Sequence, residues 1–368
     1  MSSRLVRPVA PGGVIGILGG GQLGRMLALA AARLGLKAHI YAPAGDNPAF
    51  DVAHAHTTAA YDDEAALHRF AAATDVITYE FENIPVAGVE LLAEQSCLRP
   101  GARSLQMAQD RLAEKTFASA LGIPTPPFAN VEREEDLSAA LKQVGLPAVL
   151  KTRRFGYDGK GQARVHDENE LHQAWAALGN APCILEGFVS FTCEVSAIIA
   201  RGADGKTATF DVPRNEHENH VLRHSHVPSG LHRQTGHDAI SMACRLAEAL
   251  EHVGVLAVEF FVLQDDAGNQ QLLFNEFAPR VHNSGHWTEA ACDLSQFELH
   301  VRAVCGWPLP QPRRHHDCVM TNLLGDEVHD WQALAREPDT VLHLYGKREA
   351  RPGRKMGHYT RLLSPRSA

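Results

Sequence analysis

The sequence predicts an α/β and α+β protein. A doubly wound parallel sheet comes first, then a central, largely antiparallel region, then a small C-terminal unit. Three observations carry this. Strand-like runs at 14–18, 37–41 and 76–80 alternate with helical segments at 22–34 and 64–73, the rhythm of a parallel sheet covered on both faces. Later runs at 195–200, 208–212, 255–263 and 270–277 follow one another with little helix between them. The 368 residues also exceed the ~250–300 at which one core stops growing, so two or three domains are expected.

The first unit, 1–105, opens with the strand 14–18, a glycine turn and a helix ended by Gly35; it closes in the connection 99–104. The second, 106–306, starts with a helix over 110–121 stopped by Gly122 and the stiff Pro124–Pro127 stretch. A helix near 137–144, a strand at 148–151, a glycine-rich loop at 155–162, a helix at 168–178 and a strand at 183–186 follow. The proline-rich segment 307–312 leads into the third unit, 307–368.

A net charge of −8 argues against a nucleic-acid binder, which normally carries a basic patch. Seven cysteines (97, 183, 193, 244, 292, 305, 318) include no CxxC pair, which suits reduced thiols in a cytoplasm. Arg4, Arg7 and the run 14–18 superficially resemble a signal peptide, but glycines 19–21 and Arg25 interrupt it. No run of about 18 apolar residues occurs, so no membrane span is expected. Twenty-one histidines are many; without an HExxH they read mostly as surface or structural residues.

Gly19-Gly20-Gly21-Gln22-Leu23-Gly24 fits GxGxxG between a strand and a helix. Glycines let the backbone approach a phosphate, and the helix N-terminus supplies N–H donors. Asp46 lies near where a dinucleotide-binding fold would place its ribose acid, so a dehydrogenase is one reading of residues 14–46. A tight turn without a ligand is another. Glu80, Glu82 and Asn83 follow the third strand at its carboxyl end, placed to bond ribose hydroxyls or simply to form a solvated loop. Lys151 precedes the loop Gly156-Tyr157-Asp158-Gly159-Lys160-Gly161-Gln162, which is not a P-loop; it reads as a mobile lid over phosphates or as a hairpin. Lys347, Arg348, Arg351, Arg354 and Lys355 form a cationic run that composition alone would assign to a solvated face.

The segment Phe274–Thr288, FNEFAPRVHNSGHWT, gathers Glu276, Arg280, His282, Asn283 and His286, the make-up of a site for a cation and an anion. Its start belongs to a hairpin whose turn is Asp265-Asp266-Ala267-Gly268-Asn269. A turn centred between Ala267 and Gly268 sets Glu259 opposite Glu276, about 4.5–5.5 Å apart on one face. Two such carboxylates repel by roughly 3 kcal/mol at an effective dielectric near 20. Val258, Phe260 and Phe274 make the surroundings semi-apolar, so a bound cation, Mg²⁺ for hard oxygen donors, is the natural remedy. A one-residue slip or a salt bridge to Arg280 would remove the need for it.

GGGQLGRM, TYEFENIP, KTRRFGYDGKGQ, FNEFAPRVHNSGHWT and RPGRKMGH, in this order, resemble the N5-carboxyaminoimidazole ribonucleotide synthetases, ATP-grasp carboxylases of purine biosynthesis, over residues 13–360. The resemblance implies an ATP-grasp fold with a Rossmann-like N-terminal domain, and carboxylation of 5-aminoimidazole ribonucleotide by bicarbonate and ATP through carboxyphosphate. It implies an ATP site of Arg111, Lys151, Gly156, Tyr157, Asp158, Gly159, Lys160, Gly161, Gln162, Glu186, Gly187, Phe188, Val189, Glu194, His217, Asn275 and Glu276. Glu259 and Glu276 would hold Mg²⁺, or Mn²⁺ in its place. Arg280 and His282 would place bicarbonate, with Tyr157 closing over it. Gly20, Gly21, Gln22, Leu23, Glu82, Asn283, Lys347, Arg354 and Lys355 would bind the ribonucleotide, so the glycine loop's phosphate belongs to the substrate. Arg214-Asn215-Glu216-His217 departs from the ENxH pattern expected around His217. The family also implies a homodimer. The run RVHNSGHW, which begins at Arg280, argues against a formate-dependent transformylase, and no acid or lysine is lost, as it would be in a catalytically dead regulator.

Overall fold

A computed structural model describes residues 7–156 and 159–365. The apolar strands Val14–Leu18, Lys37–Ala42, Ala55–Thr58 and Val76–Tyr79 form a four-stranded parallel sheet. Val14–Leu18 is paired on one side with Lys37–Ala42 and on the other with Val76–Tyr79. The chain therefore reverses its winding beside the first strand, and the carboxyl ends of these two neighbours open a crevice. Gly19–Gly24 and Glu80–Glu82 line it, as the sequence predicts.

A second, antiparallel four-stranded sheet has the order Phe128–Val131, Cys183–Gly187, Ala148–Thr152, Gln162–Val165. Two of these strands, Phe128–Val131 and Gln162–Val165, are too short and mixed in polarity to stand out in the sequence.

The third sheet has nine strands and runs from Gln270–Ala278 through Gly254–Gln264, Cys193–Arg201, Arg214–Glu218 and Val221–Val227. It continues without a break into His316–Leu324, Lys355–Pro365 and Thr340–Leu344. The C-terminal residues, read from sequence as a unit of their own, are thus hydrogen-bonded into the central sheet.

The main core joins the helix Gln22–Arg33 to the helix Gln296–Val304 and to the large sheet, with Trp287 fully buried in it. His300 stitches the first domain to the second: its ring bonds Thr78 Oγ1 at 2.8 Å and accepts the Val255 N–H at 3.0 Å. All seven cysteines are free, and among the described residues no helix is long and apolar enough to cross a membrane.

Trp287 packs edge-on to Phe210 with ring centroids 6.2 Å apart. Trp287→Ala should cost about 3–5 kcal/mol, seen as a lower urea midpoint for unfolding.

Candidate active site

The site is assembled around the bulged hairpin. Glu259 pairs directly with Glu276, as the sequence reading requires. The route differs from the expected one. The turn is symmetric about Ala267, since Gln264 pairs with Gln270 and Phe260 with Phe274. That register alone would set Asn275 against Glu259. A β-bulge at Asn275 adds one residue and brings Glu276 into line.

The helix Arg111–Ala120 holds this bulge in place. Its N-cap, Asp110, accepts from the Leu112 and Ala113 N–H groups and is gripped by Arg153 at 3.0 Å. The helix then presents Arg111, Glu114 and Lys115 toward the outer edge of the hairpin. Lys115 donates to the Phe274 carbonyl at 3.2 Å, Glu114 accepts the Phe277 N–H at 2.5 Å, and Arg111 pairs with Glu276 at 2.7 Å. Sequence reasoning missed Glu114 and Lys115. Their signal was the spacing of Arg111, Glu114, Lys115 and Ala118, one helical face that is polar where it should be apolar.

Electrostatics separates the two opposed acids. Confinement alone would raise Glu276, but Arg111 overrides it and holds the carboxyl down at about 2. Glu259 is pushed up to about 7 by burial and by Glu276 across the ladder. The counter-ion of Glu276 is therefore Arg111, and the anticipated rival bridge from Arg280 is not made. Arg280 instead pairs with Glu82 at 2.5 Å.

A cavity of about 1260 Å³ opens over the hairpin. It brings together Arg111, Lys151, Gly159, Gln162, Glu186, Gly187, Phe188, Val189, Glu194, His217, Glu259, Asn275, Glu276, His282, Asn283 and Lys355. Glu186 is clamped by Lys115 at 3.1 Å and Lys151 at 3.0 Å, which hold it down at about 2 against its burial. Both lysines engage Oε2, and the buried Oε1 has no hydrogen-bond partner among the described residues. Arg164 stacks over Phe188 at 3.7 Å beside it. His217 Nδ1 meets Glu194 at 2.6 Å, and this bond raises the imidazole's pKa despite burial. Gly156 and Gly161 stand beside the cavity: Arg111 reaches the Gly156 carbonyl at 3.3 Å, and the Gly161 carbonyl accepts from the Thr152 N–H at 2.8 Å. Lys160 lies between Gly159 and Gly161 in this loop, while Tyr157 and Asp158 lie outside the described residues.

The two histidines of the segment 274–288 sit in different surroundings. His282 is not a cation at neutral pH, because burial and Arg280 drive its pKa down to about 3. Its Nδ1 accepts from the Ser284 amide, so the proton sits on Nε2, which faces Glu259 at 3.5 Å. His286 is not a site group at all. It is fully buried, accepts from Gln296 at 3.1 Å and packs on His358.

A second group gathers at the crevice of the parallel sheet. The glycine loop does not present all its donors to solvent: Gly21 and Gly24 donate to the carboxylate of Glu80, the latter at 2.5 Å. This carboxylate fills the position the motif suggested for a phosphate, with Gln22 and Leu23 opening the helix next to it. Gly20 is needed for close approach, since a Cβ there would meet Asn47 Oδ1 at 2.4 Å. Asp46 is not a ribose acid: it accepts from Arg354 at 2.8 Å and from the Arg348 N–H at 3.1 Å. The cationic run is split. Arg351 faces solvent with Glu349, whereas Lys347 donates to the Lys355 carbonyl at 2.6 Å and is lowered to about 8 by burial and Arg354. Asn283 exchanges amide hydrogen bonds with Asn322 at 2.9 and 2.7 Å, a partner the sequence did not reveal. Lys355 lines the cavity and connects the two groups.

Residues 13–109 match the ribonucleotide synthetase preATP-grasp domain, 116–297 the ATP-grasp domain, and 318–367 the phosphoribosylaminoimidazole carboxylase C-terminal domain. The chain is 53% identical to an N5-carboxyaminoimidazole ribonucleotide synthase of Brucella melitensis, over 97% of this chain and 98% of the relative. It is 42% identical to that of Bacillus subtilis, over 97% and 93%. The fold superposes on the Staphylococcus aureus N5-carboxyaminoimidazole synthetase complexed with ADP, with a TM-score of 0.91, 38% identity, and 97% and 95% of the two chains covered. An Aspergillus clavatus synthase in complex with ADP and 5-aminoimidazole ribonucleotide gives a TM-score of 0.88 at 27% identity, covering 96% and 94%. On this evidence the chain belongs to the N5-carboxyaminoimidazole ribonucleotide synthase family and is an ATP-grasp ligase.

Proposed function

We propose that the chain carboxylates 5-aminoimidazole ribonucleotide with bicarbonate, using ATP as phosphoryl donor and carboxyphosphate as intermediate, in purine biosynthesis. The single observation that carries this reading is the opposed pair Glu259 and Glu276, set between a nucleotide-sized cavity and a cluster of cations. ATP fits the cavity lining: Lys151 for phosphate charge, Glu186 for a ribose or adenine donor, and Phe188 and Val189 for the base. Two carboxylates, one raised by burial and by the other, also fit Mg²⁺, with Mn²⁺ an alternative. Glu259 and Glu276 would hold the ion, which would supply charge neutralisation for the terminal phosphates.

In this reading a bicarbonate oxygen attacks the γ-phosphorus, the bridging P–O bond breaks, and ADP leaves. Arg280, released in part from Glu82, orients the bicarbonate. Neutral His282 donates its Nε2 proton as a hydrogen bond and adds no charge to repel Arg280. Carboxyphosphate then yields CO₂ and phosphate. The substrate's exocyclic amine forms the new N–C bond and gives up a proton. Lys347, Arg354 and Lys355 hold the ribonucleotide phosphate. Because Glu80 caps the glycine loop, Gly20, Gly21, Gln22 and Leu23 contribute shape and close approach more than phosphate binding. Glu82 and Asn283 face the ribonucleotide. The loop 156–162, with Tyr157, would close over the labile intermediate and exclude water. A cytoplasmic homodimer is the form we assign to it.

Phosphate release from ATP should require 5-aminoimidazole ribonucleotide. Release that ignores the nucleotide would sink the assignment. Glu276→Ala should lower kcat by about 10³-fold, and Arg280→Ala by about 10²–10³-fold, with far-UV dichroism unchanged.

Glu259 gives a pH signature. A carboxyl whose folded pKa lies at about 7, above its ordinary 4.5, stabilises the fold fully below 4.5 and loses that contribution as pH rises through 7. In chelator, Glu259→Gln should therefore melt higher than the native chain at pH 8 and not at pH 4, while its Mg²⁺-dependent turnover collapses. Equal melting temperatures at pH 8 would contradict the raised pKa.

A further inference from the structure

Three side chains outside the cavity converge where the short helix Thr288–Ala291 meets the C-terminal strands. His343 and His358 are paired directly across the ladder between Thr340–Leu344 and Lys355–Pro365. Their rings stack at 16° with centroids 5.3 Å apart. Glu289 places a carboxylate oxygen 3.0 Å from His343 Nδ1. One ligating atom from each of the three lies within 4.8 Å of the other two, the one such cluster among the described residues.

A hydrogen bond between Glu289 and His343 accounts for two of these groups. It does not account for a second imidazole stacked on the first, and burying two adjacent imidazoles is unfavourable once either is protonated. His358 directs its Nδ1 to the Tyr345 hydroxyl at 2.9 Å, which leaves Nε2 as the nitrogen available for ligation. A ring nitrogen fixed in this way is how metal-binding histidines are oriented from outside the coordination sphere.

We propose that Glu289, His343 and His358 form a binding site for a divalent transition metal of the zinc class, with Tyr345 positioning His358. Two imidazoles and one carboxylate suit Zn²⁺, Co²⁺ or Ni²⁺ and disfavour Mg²⁺, so the site is chemically distinct from the Glu259–Glu276 pair. Three protein ligands leave a fourth position for water. Glu289 lies within the segment matching the ATP-grasp domain and both histidines within that matching the C-terminal domain. The ion would clasp the two regions and fix the strand that also carries Lys355.

The test uses full-length, metal-stripped protein titrated with Co²⁺ and then Zn²⁺ in excess Mg²⁺. One Co²⁺ per chain should give the visible d–d absorption of a low-coordinate site and be displaced by Zn²⁺. His343→Asn and Glu289→Gln should abolish that absorption, and Tyr345→Phe should weaken Zn²⁺ binding by about 10-fold. Glu289 is the most exposed of the three, so Glu289→Gln serves if His343→Asn fails to fold. No such absorption in the native chain, or equal absorption and affinity in Glu289→Gln, would overturn the proposal; uptake by exposed histidines persists in every variant.

Discussion

Two carboxylates facing each other across a β-ladder repel unless positive charge is brought to them, and much of this molecule is arranged to bring it. Arg111 answers Glu276 from one side, and Lys151 stands on a different sheet where it also meets Glu186. Behind them Lys115, almost inaccessible to solvent, ties Glu186 to the edge of the same hairpin. Buried charge on this scale is costly unless every member is paired. Arg111, Lys115 and Lys151 meet that condition for Glu276 and Glu186, while Glu259 is instead pushed up to about 7 by burial and Glu276. Within this group, Glu186 Oε1 is buried without a hydrogen-bond partner among the described residues.

How much of this was legible in sequence depends on the distance over which the information is spread. The opposed acids were readable because a hairpin is local, and alternation with a turn suffices to set its faces. Even there the turn was placed half a residue off, and the bulge at Asn275 restored the pairing. A bulge depends on what grips the strand from outside, here a helix some 160 positions earlier in the chain, as with Glu114 and Phe277. Periodicity alone does not show such a partner.

The glycine loop is the converse case. Its motif was conspicuous and its local geometry was read correctly, yet its donors meet an internal carboxylate. A motif reports which backbone groups are exposed by a turn; it does not report which acceptor reaches them first. Histidines follow the same rule. His282 and His286, four positions apart, differ in kind: one faces the cavity and one is packed against His358, and burial leaves neither charged at neutral pH. The cationic run near the C-terminus divides likewise, because a tight turn sends Arg351 outward and Arg354 toward Asp46.

The continuity of the nine-stranded sheet has a mechanical consequence. Its backbone ladder carries Glu259 and Glu276 at one edge and the strand bearing Lys355 near the other, so the spacing between them is set by covalent and hydrogen-bonded geometry. The small sheet 128–187 is joined to this frame by side chains and loops and shares no ladder with it. A relative movement of the two sheets would therefore break no ladder hydrogen bond among the described residues. The large one behaves as a ruler that fixes how far Lys355 stands from the opposed acids.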